Sequence, residues 1–161
     1  MSDKQVQVLD FDEQEAIAKA VILTLKECPF LQRKVVTRFE DMGDNTLGMF
    51  PQQGSVYLRR FVSGTFIAQY NFFLRYRRKE TTDEGRIKDE ATLDLIGKWL
   101  ERNPVQVGTE VYELQNYPEL TDNRTITQIT RTSSAFLAER AQDGTSDYQI
   151  YLQLRYRKET R

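Results

Sequence analysis

Histidine is absent from this chain of 161 residues, and cysteine occurs once, as Cys28. Without histidine there is no ordinary general base near neutral pH and no imidazole ligand, which excludes Ser/His and Cys/His nucleophile pairs and His-centred metal sites. One cysteine cannot close an internal disulfide, so stability rests on packing and the chain reads as suited to a reducing compartment. Glycine (8) and proline (4) are few, and 39% hydrophobic against 29% charged residues is the balance of a folding globular chain, neither disordered nor fibrous. No apolar run approaches the roughly 18 residues that span a bilayer, so no membrane partner is expected. The start, Met1-Ser2-Asp3-Lys4-Gln5, lacks the basic-then-apolar layout of a signal peptide, which places synthesis in the cytosol. An excess of charge of either sign is also lacking. Lys+Arg 23 against Asp+Glu 24 leaves a net charge of -1, which argues against nucleic-acid binding by bulk charge.

What is present reads as a single domain over 1–161, because a chain of this length buries roughly 70% of its unfolded surface around one core. After a polar lead at 1–10, Asp12 and Glu15 stand at capping-box spacing before an apolar run at 16–25. Ile17, Ala20, Val21, Thr24 and Cys28 share a helix face, Glu13, Glu15, Lys19 and Lys26 lie off it, and Pro29 ends the helix. Cys28 therefore reads as a small core residue. Thr81 and Glu84 repeat the capping spacing before a helix at 86–102, whose apolar stripe is Ile87, Ala91, Leu95, Ile96, Trp99 and Leu100, with Trp99 as a core anchor. Strand patterns occupy 35–40, 55–62, 65–77, 111–114, 124–131 and 148–157, with a hairpin at Ser63-Gly64 and a turn at Asp143-Gly144; residues 134–140 read as a helical turn. Residues 41–54, holding Gly43, Gly48, Pro51 and Gly54, read as a long loop that offers Met49 and Phe50 to a partner. The expectation is an α+β fold: a mainly antiparallel twisted sheet of about four to six strands packed against two main helices.

On the strand at 65–77, Phe66, Ala68, Tyr70, Phe72, Leu74 and Tyr76 form one apolar face. The opposite face, Ile67, Gln69, Asn71, Phe73, Arg75 and Arg77, is mixed, so it is covered in part by a helix or by another subunit. Leu74-Arg75-Tyr76-Arg77 recurs as Leu154-Arg155-Tyr156-Arg157, and both copies run on into Lys-Glu-Thr, at Lys79 and Lys158. Two readings stand side by side: the arginines solvate an exposed sheet face and guard its edge, or they pair with carboxylates of a neighbouring copy. Arg75, Arg77, Arg78, Arg155 and Arg157 are accordingly the candidate interface, together with Met49 and Phe50. The stretch Arg75-Tyr76-Arg77-Arg78-Lys79 points to nucleic acid, but Tyr76 falls on the apolar side and is not free to stack on a base. Phosphate-binding glycine loops, CxxC pairs, calcium loops and nucleophile elbows do not occur, and the acid pairs Glu40-Asp41, Asp83-Glu84 and Asp89-Glu90 read as solvated surface. No catalytic residue, metal ligand or cofactor is nominated, and the chain is not expected to be an enzyme.

An ordered series of segments narrows this further. Phe61-Val62-Ser63-Gly64 leads into Gln69-Tyr70-Asn71-Phe72, and an amphipathic helix follows at 93–100. Ile126-Thr127-Gln128-Ile129 then precedes Thr132-Ser133, and Gly144 with Asp147-Tyr148-Gln149 opens a last strand that finishes in Leu154-Arg155-Tyr156. In this order the region 54–157 resembles the tail-terminator family of long-tailed bacteriophages, whose members are often labelled minor capsid or minor tail proteins. It departs from that pattern in a longer charged stretch at 77–86 and a basic C-terminus. The resemblance implies a virion protein at the head-proximal end of the tail, assembled in the host cytoplasm as a homo-oligomeric ring, commonly a hexamer. Such a ring binds the tail tube protein at the tube's end, stops polymerisation, and presents a surface to a head-completion or connector protein, without catalytic residues or cofactor. The rival readings are another head–tail joining or minor tail component, a small nucleic-acid-binding module using the two basic strand ends, and a histidine-free enzyme using paired carboxylates.

Overall fold

Two helices and nine strands form among residues 8–160, which are the residues described by a computed structural model. In chain order they are α1 (Phe11–Lys26), β1 (Val36–Phe39), β2 (Thr46–Pro51), β3 (Val56–Arg60), β4 (Phe66–Lys79), α2 (Asp83–Leu100), β5 (Val105–Val107), β6 (Glu110–Tyr112), β7 (Arg124–Arg131), β8 (Phe136–Arg140) and β9 (Thr145–Lys158). The two long strands β4 and β9, 14 residues each, pair antiparallel along their whole length at the centre of a seven-stranded sheet. The α+β expectation holds. Seven strands occupy five positions, because β2 and β3 follow one another along the same edge of β4, and β7 and β8 share the outer edge of β9 in the same way. β1 adds to β2 in parallel, and β5 with β6 forms a separate two-stranded ribbon.

Alternation along β4 and β9 sorts the sheet into two unlike faces. Ala68, Tyr70, Phe72, Leu74 and Tyr76, with Tyr148, Ile150, Leu152, Leu154 and Tyr156, are buried beneath both helices. Ile17, Val21 and Leu25 of α1 and Leu93, Ile96, Trp99 and Leu100 of α2 complete that core, each large apolar side chain contributing roughly 1.5–3 kcal/mol by leaving water. Cys28 lies in it, and burial pushes its thiol up to about 12, far from nucleophilic range.

Several expectations change. The proposed loop at 41–54 contains β2, whose Leu47 and Met49 are wholly buried in the core. A run broken by Gly48 and Pro51 conceals strand periodicity, and tertiary pairing with β4 overrides the turn signal. Residues 134–140 form β8 rather than a helical turn. α1 starts two residues earlier than the Asp12 capping box implies, with Asp10 at the N-cap position; its carboxylate accepts from the Tyr57 hydroxyl instead of capping the helix. α2 is capped by Thr82, whose hydroxyl accepts from Gly85 N–H, not by Thr81. Ile87, 67% exposed, and Ala91 leave the apolar stripe of α2, and Asp89 of the supposedly solvated acid pair is buried in their place. Of the polar lead, 1–7 lie outside the described residues, while Leu9 is core and Val8 bridges to Val56.

The short echo in the sequence extends into a structural repeat. Val56↔Gln69, Tyr57↔Ala68, Arg59↔Ile67 and Arg60↔Phe66 in β3–β4 match Phe136↔Gln149, Leu137↔Tyr148, Glu139↔Asp147 and Arg140↔Ser146 in β8–β9, every residue number being 80 higher. Even the bulge recurs, between Tyr57 and Arg59 and between Leu137 and Glu139. Both connecting turns carry the same pair of hydrogen bonds, Phe61 N–H to Thr65 O with Gly64 N–H to Phe61 O, and Ala141 N–H to Thr145 O with Gly144 N–H to Ala141 O. Gly64 and Gly144 sit at φ 95° and 91°, a region closed to β-branched and bulky side chains, which is why glycine stands at both. Because Phe72 pairs with Leu152, its own counterpart, the two hairpins are related by a pseudo-two-fold axis through that pair.

Candidate interaction face of the sheet

Among the described residues, no helix or further strand layer covers the face of the sheet opposite the helices. Across its middle runs an aromatic row from four strands: Phe50 of β2 stacks on Phe73 of β4 at 5.0 Å, Phe73 meets the edge of Tyr151 of β9 at 5.8 Å, and Tyr151 stacks with Phe136 of β8 at 5.9 Å. These rings are half-buried by one another and otherwise open to solvent. Such a row is stabilised by offset and edge contacts and leaves a broad apolar strip available for further burial. Phe50 therefore stays a candidate contact residue, whereas Met49, pointing the other way from β2, is removed from the interface by its complete burial.

The arginines singled out by the sequence fall into two groups, and one of them, Arg78, projects with Tyr76 to the helix side while the others lie on the open face. Arg77 lies opposite Asp147 and donates to both of its carboxylate oxygens, at 2.7 and 2.8 Å, while Arg75 donates to Asp147 at 3.0 Å and to Glu139 at 3.1 Å. Arg78 is tied to Gln32 and Asn45 at 3.0 and 3.2 Å and to buried Asp89 at 3.4 Å. These three are thus paired within the chain. At the other end Arg155 is exposed and has no carboxylate partner among the described residues, and Arg157 meets only the exposed Glu159, at 3.1 Å. Arg59, which the sequence pattern did not single out, joins them: it lies opposite Ile67, and both Arg59 and Arg157 sit over the Phe61 ring, at 5.0 and 5.5 Å.

Elsewhere the polar chemistry is structural. Glu13, assigned by periodicity to the outer face of α1, is buried and receives Arg124 through two hydrogen bonds of 2.7 and 2.8 Å, the Tyr156 hydroxyl at 2.8 Å and Lys158 at 3.2 Å. Burial by itself raises its pKa, but these donors outweigh it and hold the carboxyl down at about 2. Asp89 shows the opposite balance, burial pushing it up against the weaker pull of Arg78. An apolar groove of about 670 Å³ opens between α1 and the β1–β2 edge, lined among others by Phe11, Ile22, Leu23, Phe39 and Tyr70, whose buried hydroxyl has no hydrogen-bond partner. Among the described residues no group of three or more His, Cys, Asp or Glu side chains is placed to hold a metal ion, and no helix is long and apolar enough to cross a membrane.

Aligning the halves at a spacing of 80 sets Arg59 beside Glu139 and Ile67 beside Asp147, and the cross-strand register then places Asp147 opposite Arg77 and Ile67 opposite Arg157. No known protein-family model matches this chain, and no curated protein matches it.

Proposed function

We propose that this protein is a ring-forming tail terminator of a long-tailed bacteriophage, which seats on the end of the tail tube, stops its growth and offers a joining surface to the head. The observation that carries this reading is the sheet covered by both helices on one face and open on the other, with the row Phe50, Phe73, Tyr151 and Phe136 across the open side. A subunit working by shape needs such a broad, rigid surface, and a sheet built on two fully paired 14-residue strands supplies it. The ordered series of segments at 54–157 supports the same reading. Apolar burial between protein surfaces, with charged residues of both signs at the margin, is the chemistry this face offers.

The test is direct. Purified protein mixed with tail tubes should appear by electron microscopy as a ring at one tube end, and phage lacking the gene should make tails of uncontrolled length. Protein that ignores tube ends, with normal tail lengths after deletion, overturns the proposal.

A further inference from the structure

The pseudo-two-fold axis turns the open face into its own control. At one end, Arg75 and Arg77 are satisfied by Glu139 and Asp147. The residues in the equivalent places at the other end are Arg155 and Arg157, with Arg59 standing where Glu139 does and Ile67 where Asp147 does. One quartet is two arginines with two carboxylates; its counterpart is three arginines around an isoleucine. The backbone register, the bulge and the turn are the same, so the second quartet presents the guanidinium arrangement of a carboxylate site in which no carboxylate stands at the two equivalent places, the one acid in reach being the exposed Glu159 beside Arg157.

We infer that this end of the open face, formed by Arg59, Arg155 and Arg157, is a receptor for carboxylates, and that its occupant is the acidic ribbon of a second copy of this chain. The inference rests on the ring reading above. The ribbon is β5–β6, which stands outside the main sheet and ends in Glu110, Val111 and Glu113. Both glutamates are exposed without a cationic partner among the described residues, and Val111 between them is 63% exposed. Beside the receptor, Val62 is fully exposed and Ile67 and Phe61 are half-exposed, so apolar and charged groups match in kind. A glutamate stem and a valine suit this apolar floor, whereas a phosphate backbone leaves it unused. The ribbon packs on the helix side, through Phe30 against Tyr112 at 5.8 Å, while the receptor lies on the opposite face. The contact is therefore heterologous, the type that generates a ring when its rotation closes.

The test measures mass against concentration by analytical ultracentrifugation at low and high salt. The parent should self-associate, less so as salt rises. Arg155→Glu and Glu113→Arg should each weaken association by roughly tenfold or more, and combining them should restore it. The double variant Arg59→Glu/Ile67→Asp rebuilds the filled quartet inside the chain, so it should keep the parent's circular dichroism and melting profile yet lose association. If parent and all variants associate alike, the receptor assignment is wrong while the ring reading stands. A parent that stays monomeric at every concentration overturns the inference; whether it still seats on tube ends then decides the ring reading separately. Salt-sensitive binding of a duplex oligonucleotide that Arg155→Glu abolishes, with self-association unmoved, overturns it in favour of nucleic acid.

Discussion

Arg77 and Asp147 face each other across the two central strands, and the guanidinium grips both carboxylate oxygens in a parallel fork. Asp147 is almost wholly buried and also holds Arg75, so one carboxylate organises two cations on the open face. Asp147→Ala should cost about 2–3 kcal/mol in urea unfolding, because it strands two half-buried guanidinium groups at once. A loss near zero would show that both arginines find water as readily as the carboxylate.

Glu13 ties α1 to β7 and to the far end of β9. The hydrogen bonds from Arg124, Tyr156 and Lys158 hold its carboxyl pKa at about 2, below the ordinary 4.5. The group thus contributes stability that is complete above about pH 4.5 and is lost as pH falls towards 2, on the order of 3 kcal/mol. Glu13→Gln should remove roughly 3–5 kcal/mol near neutrality, since it leaves Arg124 and Lys158 without their counter-charge, and should flatten that acid limb. Denaturant midpoints of parent and variant from pH 2 to 7 decide it; parallel curves would remove Glu13 as the cause.

Trp99 is buried in the last turn of α2 and meets Phe30 edge-on at 6.2 Å. Trp99→Ala should cost roughly 3–5 kcal/mol by emptying a core site. Trp99→Phe should cost far less, because the indole N–H is buried with no partner and its removal leaves nothing unpaired. Thermal melts of the two variants compare them directly.

Phe73 is the link between Phe50 and Tyr151 in the aromatic row. Phe73→Ala should lower monomer stability modestly, roughly 1–2 kcal/mol, yet abolish seating on tube ends if this row is the docking strip. Unchanged capping by a folded variant would move the docking strip elsewhere on the molecule.

Periodicity alone was enough for the two helices, the hairpin at Ser63-Gly64, the long strands and the two-faced character of β4, because strict alternation over many residues has few competing explanations. It was not enough for β2, where Gly48 and Pro51 imitate a loop, nor for the starts of α1 and α2, where the N-cap position is two residues before Asp12 and one residue after Thr81. Glu13 and Asp89 show a deeper limit. A charged residue reads as solvated until its partners are known, and Arg124 lies 111 residues away from Glu13.

Composition and pattern by themselves determined the chemical character of this protein: no histidine, one buried thiol, an α+β domain, and arginines placed on one face of the sheet. Which arginines are spent and which are free was decided only by the tertiary structure. Arg75-Tyr76-Arg77 and Arg155-Tyr156-Arg157 are the same words in the chain, but their meaning depends on what pairing sets opposite them. Asp147 neutralises the first pair, and Ile67 leaves the second open. Cross-strand register is a long-range property, and a short sequence motif carries no record of it.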